Sequence, residues 1–309
     1  MQIKSIRKNI ENKMEEWLAT IPNIEKVDSN YVPEYLITLR DRVRKNLLVS
    51  GGSIASMLLK EDVNDYDVYI QDMDVLIDLV RYYTKGYPDI RVLDGRKRNE
   101  YLSELHPNQQ GIVYVSINNL KTDQVKLYFE SESGGKKIDE NYVNKDSPQY
   151  LPTFFSPNAI SLSNKIQIVT RFHGDNEAIH KTFDFIHATN YFTMKDGLVT
   201  NKEALESIIC KQLKYQGSFY PLTSIIRMKK FIKRGWNMNA GEILKIMFQI
   251  SELDLHNPNI LEEQLIGVDV AYFGKLIEIL RTVDANKITS PYLNTLIDKI
   301  FNDYDEENV

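Results

Sequence analysis

The stretch that decides the fold begins with Leu47-Leu48-Val49-Ser50-Gly51-Gly52-Ser53. Eleven residues later it continues with Asn64-Asp65-Tyr66-Asp67-Val68-Tyr69. The apolar run before the glycines predicts a buried strand, and the glycine pair allows a sharp turn into a helix that starts at Ser53. Amide groups at the start of a helix have no acceptor within it and favour an anion. Gly51, Gly52 and Ser53 are therefore predicted to bind a polyphosphate.

Two aspartates lie on the strand that is predicted after this helix. Asp65 and Asp67 are two residues apart, so both side chains are expected on one face, while Tyr66 and Val68 point into the core. Paired carboxylates on a rigid strand suit Mg²⁺, which binds one or two carboxylates together with triphosphate oxygens. A second ion on the same pair can activate an attacking hydroxyl. The pattern predicts a nucleoside triphosphate site with two Mg²⁺ ions.

The order of a Gly-Gly-Ser turn, a short helix and an acid-x-acid strand resembles the active-site entry of the DNA polymerase β-like nucleotidyltransferase superfamily. Within it, LVSGGSIASMLL at 48–59 is similar to the LVGGAVRDLLL motif of class II CCA-adding enzymes and bacterial poly(A) polymerases. Three later segments resemble further motifs of that group in the same order: 166–171, 180–191 and 221–236.

The resemblance covers residues 45–240 apart from 94–149, and the block 155–191 also resembles nucleotidyltransferase-like proteins that bacteriophages encode. It implies a polymerase β-like head that transfers a nucleotide from a nucleoside triphosphate, such as ATP, to an acceptor hydroxyl with the help of Mg²⁺. The acceptor that the resemblance implies first is the 3′ end of an RNA, such as a tRNA.

The resemblance also assigns roles to single residues. Gly51, Gly52 and Ser53 match the triphosphate-binding turn, Asp65 and Asp67 match the metal ligands, and Asp184 matches an aspartate that contacts the nucleotide. Arg171 is expected near the catalytic face at the end of a predicted hairpin. There its guanidinium either binds a phosphate or forms an ion pair with Asp175 or Asp184.

The chain departs from the family at two places. Where a third carboxylate is expected beside the aspartates, the alternation of Ile166 and Ile168 puts Gln167, which cannot replace a carboxylate as a metal anchor. Glu130 and Asp184 are the candidates for supplying that acid from elsewhere. The Asp/Arg pair that reads the base in the family is also replaced, because Phe219, Tyr220 and Thr223 stand there.

These departures leave two other functions open. The first is an inactive nucleotidyltransferase-fold protein that acts as a nucleotide sensor or as a structural component of a phage assembly. The second is a transferase of the toxin or defence type that modifies tRNA or protein.

Composition places the chain among ordinary globular proteins. Its 309 residues are 42% hydrophobic and 26% charged, which suits a chain with two cores. Because the N-terminus lacks an apolar signal core and no run is long enough to span a bilayer, a cytoplasmic protein without a membrane partner is expected. The lone Cys210 is expected to be buried in a helix, with no role in a disulfide.

The net charge of −5 conceals a basic stretch in the second half of the chain. Its candidate nucleic-acid contacts are Arg227, Lys229, Lys230, Lys233 and Arg234. A solvated helix face is the alternative explanation of these charges.

The expected fold class is α+β, with a mixed, mainly antiparallel sheet in the head and an all-helical C-terminal domain. The predicted domains are an N-terminal helical segment (1–45), a head (46–200) with a strand-rich insertion at 94–150, and a helical neck and tail (201–309). Helices are predicted at 2–18, 33–43 and 73–84, strands at 90–93, 111–117 and 125–129, a flexible tip at 131–137, and a hairpin within 155–171 that completes the sheet.

Overall fold

The computed structural model of the protein describes residues 2–25, 32–87, 150–156, 158–255 and 289–305, with short stretches at 91–93, 112–116, 124–127 and 136–138 and scattered positions between 257 and 287. The chain divides into two compact units, Met1–Cys210 and Lys211–Val309. The first is built on β-sheet and helices, and the described part of the second is mainly helical, which confirms the predicted fold class. The division into 1–45, 46–200 and 201–309 stays a prediction.

The main sheet of the first unit carries the candidate site. The described strands are β1 (Leu47–Ser50), β2 (Tyr66–Ile70), β3 (Arg91–Leu93), β4 (Ile112–Ser116), β5 (Gln124–Leu127), β6 (Lys136–Lys137), β7 (Pro152–Ser156), β8 (Ala159–Leu162), β9 (Ile166–Val169), β10 (Tyr191–Thr193) and β11 (Gly197–Val199). Eight of them form one sheet in the order β11-β10-β1-β2-β9-β8-β7-β6. Because β2 and β9 are parallel and the other neighbours are antiparallel, the sheet is mixed and mainly antiparallel, as predicted.

A separate three-stranded sheet, β3-β4-β5, accounts for the strands that were predicted at 90–93, 111–117 and 125–129. The strand β6 pairs with β7, so the expectation of a flexible tip is wrong for Lys136 and Lys137. Residues 131–135 of that tip lie outside the described residues.

Helices cover one face of the main sheet. They are α1 (Gln2–Ala19), α2 (Leu39–Asn46), α3 (Gly52–Leu59) and α4 (Met73–Thr84). The core side chains of α1 recur every three or four residues, which places Ile10, Met14 and Trp17 on one stripe that packs against Val49 and Val68 of the sheet. Full burial of such side chains contributes about 1.5–3 kcal/mol each.

The helix predicted at 33–43 is divided. A 3-10 helix at Glu34–Leu36 precedes α2, and Thr38 between them has a left-handed φ of 47°. Regular α-helix cannot pass through a residue in this conformation, so the helical pattern in the sequence is cut there.

The opposite face of the main sheet is covered by a smaller cluster. It includes Leu48, Tyr69 and Phe183, together with Ile179 from α5 (Asn176–His180). Asp175 caps α5, since its carboxylate accepts a hydrogen bond from the Ala178 amide at 2.8 Å. This face carries the predicted aspartates.

The remaining helices are α6 (Lys202–Ile209) in the first unit and α7 (Pro221–Lys233), α8 (Ala240–Ser251) and α9 (Ser290–Asp305) in the second. Cys210 follows α6 and is exposed, so the expectation of a buried thiol is wrong. The helix ends where its apolar pattern ends, which leaves Cys210 just beyond its buried stripe. Among the described helices, none has the length and apolar character that crossing a bilayer requires.

Candidate functional site

The turn after β1 brings a glycine and a carboxylate into direct contact. Gly51 has a φ of 90°, and a Cβ added there would lie 2.8 Å from Oδ2 of Asp67. A residue with a side chain fits neither this conformation nor this space. The carboxylate of Asp67 therefore lies against the turn, as the sequence pattern required for a shared phosphate and metal site.

Gly51 itself does not offer its amide to a ligand, because this N–H donates to the carbonyl of Ala188 at 3.1 Å. The next amides, of Gly52 and Ser53, belong to the first turn of α3, which has no intrahelical acceptors for them. A Cβ added at Gly52 would meet nothing within 4 Å, so the space in front of this residue is open. Gly52 and Ser53 are the part of the predicted turn that can bind a phosphate.

The side chain of Ser53 supports this assignment. It is only 3% exposed, and within the described part of the chain its hydroxyl has no hydrogen-bond partner. A buried hydroxyl without a partner costs about 1–3 kcal/mol, so it is expected to find one in a ligand or a water molecule.

A row of polar residues crosses the sheet beside this turn. The strand registers pair Ser50 with Asp67, Asp67 with Gln167 and Gln167 with Ser161. Residues directly opposite each other on neighbouring strands share a face of the sheet. Gln167 thus lies next to Asp67, with its Nε2 donating to Oγ of Ser161 at 3.4 Å, and it occupies the place where the resemblance implied a third carboxylate.

Asp65 lies one residue before β2 and is exposed. Partial desolvation by its surroundings raises the pKa of Asp65, while the ammonium group of Lys165 acts in the opposite direction. Lys165 ends the turn between β8 and β9, and its Nζ donates to the carbonyl of Val63 at 2.7 Å. The sequence-based prediction missed Lys165, although this lysine lies two residues before Gln167 and so could have been expected near the site.

The carboxylates do not form a larger metal-binding group. Within the described ranges, no set of three or more His, Cys, Asp or Glu side chains is placed to hold an ion. Asp184 therefore does not complete such a set with Asp65 and Asp67, and Glu130 lies outside the described residues. Two carboxylates fit one Mg²⁺ that also binds phosphate oxygens.

A buried serine and a half-buried histidine fix the segment behind the turn. The hydroxyl of Ser50 lies 3.0 Å from Nε2 of His180, and it reaches the carbonyls of Ala188 and Asn190 at 3.1 and 2.9 Å. Burial lowers the pKa of His180 to about 4, so the imidazole is neutral near pH 7. Since Ser50 is fully buried and engaged with backbone carbonyls, its role is to anchor this segment.

Asp184 and Arg171 are both buried in the first unit. Asp184 is 7% exposed and follows Phe183, whose ring centroid is 5.9 Å from that of Tyr69. Arg171 lies two residues after the end of β9. The side chain of Arg171 lies 5.4 Å from the ring centroid of Phe172.

The basic residues of the predicted nucleic-acid surface belong to the second unit. Lys229, Lys230 and Lys233 are exposed on α7, Arg234 is exposed just after it, and Arg227 is half-buried. A nucleic-acid role for this basic face stays a prediction.

The turn, the aspartate strand and the mixed sheet define an α+β protein with a candidate phosphate and metal site. A model of the family described as "Gad2: Gabija anti-defense 2 family protein" matches residues 8–211. The chain belongs to this family.

A relative from Bacillus phage SPbetaL7, described as "Gabija anti-defense 2", is 24% identical over 218 residues. The match covers 70% of this chain and 52% of the relative, so the chain spans about half the length of the curated protein that it matches.

Solved structures of CCA-adding enzymes show a distant likeness. The complex of a CCA-adding enzyme with CTP gives a TM-score of 0.36 at 14% identity, over 74% of this chain and 43% of that one. The Thermotoga maritima enzyme complexed with tRNA gives 0.37 at 13% identity, over 86% of this chain and 54% of that one. The Bacillus stearothermophilus enzyme with CTP gives a TM-score of 0.33 at 12% identity, over 75% of this chain and 47% of that one. At such TM-scores the likeness carries no information on substrate or activity.

Proposed function

We propose that this protein counters the Gabija defence during phage infection and that its first unit carries this activity. The family model matches residues 8–211, which is nearly the span of the compact unit Met1–Cys210. The relative with the same description comes from a phage, which agrees with a role in infection.

The biochemical basis that the site supports best is binding of a nucleoside triphosphate with Mg²⁺. One observation carries this proposal: the carboxylate of Asp67 lies against Gly51, at the start of a helix whose first amides have no acceptor within the helix. Asp65 and Asp67 would hold the ion, and the Ser53 hydroxyl with the neighbouring amides would bind phosphate. Bound Mg²⁺ neutralises phosphate charge.

Nucleotidyl transfer is the second candidate, favoured by the retained pair of Asp65 and Asp67. In this hypothesis the acceptor is an RNA or tRNA 3′ end, or a protein, and two ions bind. Gln167 beside Asp67 weighs against it, because an amide oxygen anchors a divalent cation less strongly than a carboxylate. Binding without transfer, as in a nucleotide sensor, is therefore preferred.

An infection assay tests the anti-defence role. Phage plating is measured on cells that carry the Gabija defence and produce the wild-type protein, Asp67→Asn or Asp62→Asn. Asp62 is an exposed aspartate in the same loop as Asp65 and serves as the matched control. We expect the wild type and Asp62→Asn to restore plating and Asp67→Asn to fail. No restoration by the wild type contradicts the anti-defence role, and full restoration by Asp67→Asn contradicts the need for the site.

A labelling assay separates binding from transfer. The purified protein is incubated with Mg²⁺, each α-³²P-labelled nucleoside triphosphate, RNA and cell extract, and nucleotide binding is measured in parallel by calorimetry. Binding without label in RNA or protein supports the preferred function. Label that depends on Asp67 in either macromolecule establishes the transferase instead.

A further inference from the structure

The strand next to the aspartates presents a lysine and a glutamine to them. The parallel register pairs Tyr66 with Ile166 and Asp67 with Gln167. Asp65 and Lys165 each precede the first residue of this pairing. Desolvation raises the pKa of Asp65 and the ammonium group of Lys165 acts to lower it, so the two charged groups lie near each other. On the other side of β2, the strand β1 leads into the phosphate turn.

The ammonium group of Lys165 is held close to this edge. Its Nζ donates to the Val63 carbonyl at 2.7 Å, two residues before Asp65. Asn164 and Lys165 have left-handed φ values of 60° and 64°, a conformation that non-glycine residues adopt at a cost of about 1–3 kcal/mol each. The Lys165 side chain thus lies near Val63 and is exposed to solvent, where a ligand can reach it.

The charges at this edge differ from those of a site with three carboxylates. Asp65, Asp67, Lys165 and Gln167 together carry a formal charge of −1. Two divalent cations held close together repel each other, and two carboxylates beside a lysine offset less of this repulsion than three carboxylates do. One divalent cation is compatible with the charge that these four residues supply.

We propose, on the basis of the proposed nucleotide-binding function, that Lys165 binds the phosphate groups of the nucleoside triphosphate and that the site holds a single divalent cation. A polyphosphate above β2 meets the α3 amides on one side and the Lys165 ammonium on the other. The strands that adjoin these two groups, β1 and β9, lie two strand spacings apart, or about 10 Å. Lysine suits this role because its ammonium is a compact charge with three rotatable donors.

Calorimetric titration tests the role of Lys165. ATP, GTP, CTP and UTP are titrated with Mg²⁺ into the wild type, Lys165→Ala, Lys165→Arg and Lys195→Ala. Lys195 is an exposed lysine in the turn between β10 and β11, so Lys195→Ala removes the same charge at the other end of the sheet. We expect Lys165→Ala to weaken binding about tenfold or more, since a charge-assisted hydrogen bond is lost, with near wild-type binding by the other two variants.

The outcomes separate this inference from the function on which it rests. If the wild type binds none of the four nucleotides, both are wrong. If the wild type binds and Lys165→Ala binds equally well, or Lys195→Ala weakens binding as much, only the role of Lys165 is wrong. Equal melting temperatures of the variants show that folding is not the cause of any change.

Counting the bound metal ions tests the proposal that the site holds a single divalent cation. Mn²⁺ replaces Mg²⁺ as the probe, and free Mn²⁺ is measured by electron paramagnetic resonance in the presence of the tightest-binding nucleotide. We expect one protein-dependent Mn²⁺ in the wild type and two in Gln167→Glu, which restores a third carboxylate beside Asp67. Two ions in the wild type overturn the single-cation site. A Gln167→Glu variant that gains no ion shows instead that Gln167 is not what limits the number of ions.

Discussion

Substitution of Gly51 by alanine should damage both the fold and the site. The new Cβ would lie 2.8 Å from Oδ2 of Asp67, and the φ of 90° with a ψ of −154° belongs to a region that is essentially reserved for glycine. A non-glycine residue there costs about 1–3 kcal/mol, and displacement of the Asp67 carboxylate adds to this cost. We expect a total loss of about 2–4 kcal/mol, a large fraction of a typical stability of about 5–15 kcal/mol.

The measurement is urea unfolding of the first unit. A Trp236→Phe background leaves Trp17, which is buried in the core of that unit, as the fluorescent reporter. Gly52→Ala is the matched control, because a Cβ at Gly52 meets nothing within 4 Å and alanine restricts the unfolded chain.

The two glycines should give opposite results. Gly51→Ala should lower the free energy of unfolding and abolish metal binding at Asp67. Gly52→Ala should leave stability unchanged or raise it by about 0.5 kcal/mol, yet weaken nucleotide binding, since its methyl group occupies the open space in front of the amides. If Gly51→Ala lowers the free energy of unfolding by less than about 0.5 kcal/mol and still binds metal, the contact between the turn and Asp67 is refuted.

Two further substitutions probe the parts that support the site. His180 has a pKa of about 4 in the folded state against 6.5 in the unfolded state, so its stabilising effect is complete above pH 6.5 and is lost as the pH falls from 6.5 to 4. The shift corresponds to at most about 3.4 kcal/mol, and solvent screening of this half-buried ring reduces the expected loss to about 1–2 kcal/mol. Urea unfolding of the wild type and His180→Gln at pH 7.5 and 4.5 measures this loss of stability. If the stability of both proteins depends on pH in the same way, the predicted effect of His180 is wrong. Tyr83→Phe leaves the buried Trp17 Nε1, which donates to Tyr83 at 2.8 Å, without this acceptor and should cost about 1–3 kcal/mol. An unchanged urea midpoint argues against this hydrogen bond.

Local pattern was enough to predict the elements nearest the site. The strand at 47–50 and the helix at 73–84 were predicted with the bounds that the structure has, and the hairpin appears as β8 and β9 with a turn at Ser163–Lys165. These elements have a clear apolar period and are bounded by glycine or polar residues, so neighbouring residues alone determine them.

The contacts that build the site could not be predicted from residues that are neighbours in the sequence. The parallel pairing of β2 with β9 joins Tyr66 to Ile166, and the hydrogen bond of Ser50 joins it to His180. Both join residues that are far apart in the chain, so they depend on the order of strands in the sheet. Lys165 was missed for this reason, because its place near Asp65 depends on the pairing of β2 with β9.

The site combines features that a triphosphate pocket needs with one that two-metal catalysis does not favour. In the proposed function, the Gly51 turn and the first amides of α3 serve phosphate binding, and the Asp67 carboxylate lies in contact with that turn. Gln167 bears on the number of cations that the site can hold, and Lys165 bears on the charge of the site and on the proposed phosphate contact. In the proposed function, the phosphate turn and the aspartates support nucleotide binding, and the glutamine that stands beside Asp67 in place of a third carboxylate is what separates binding from transfer.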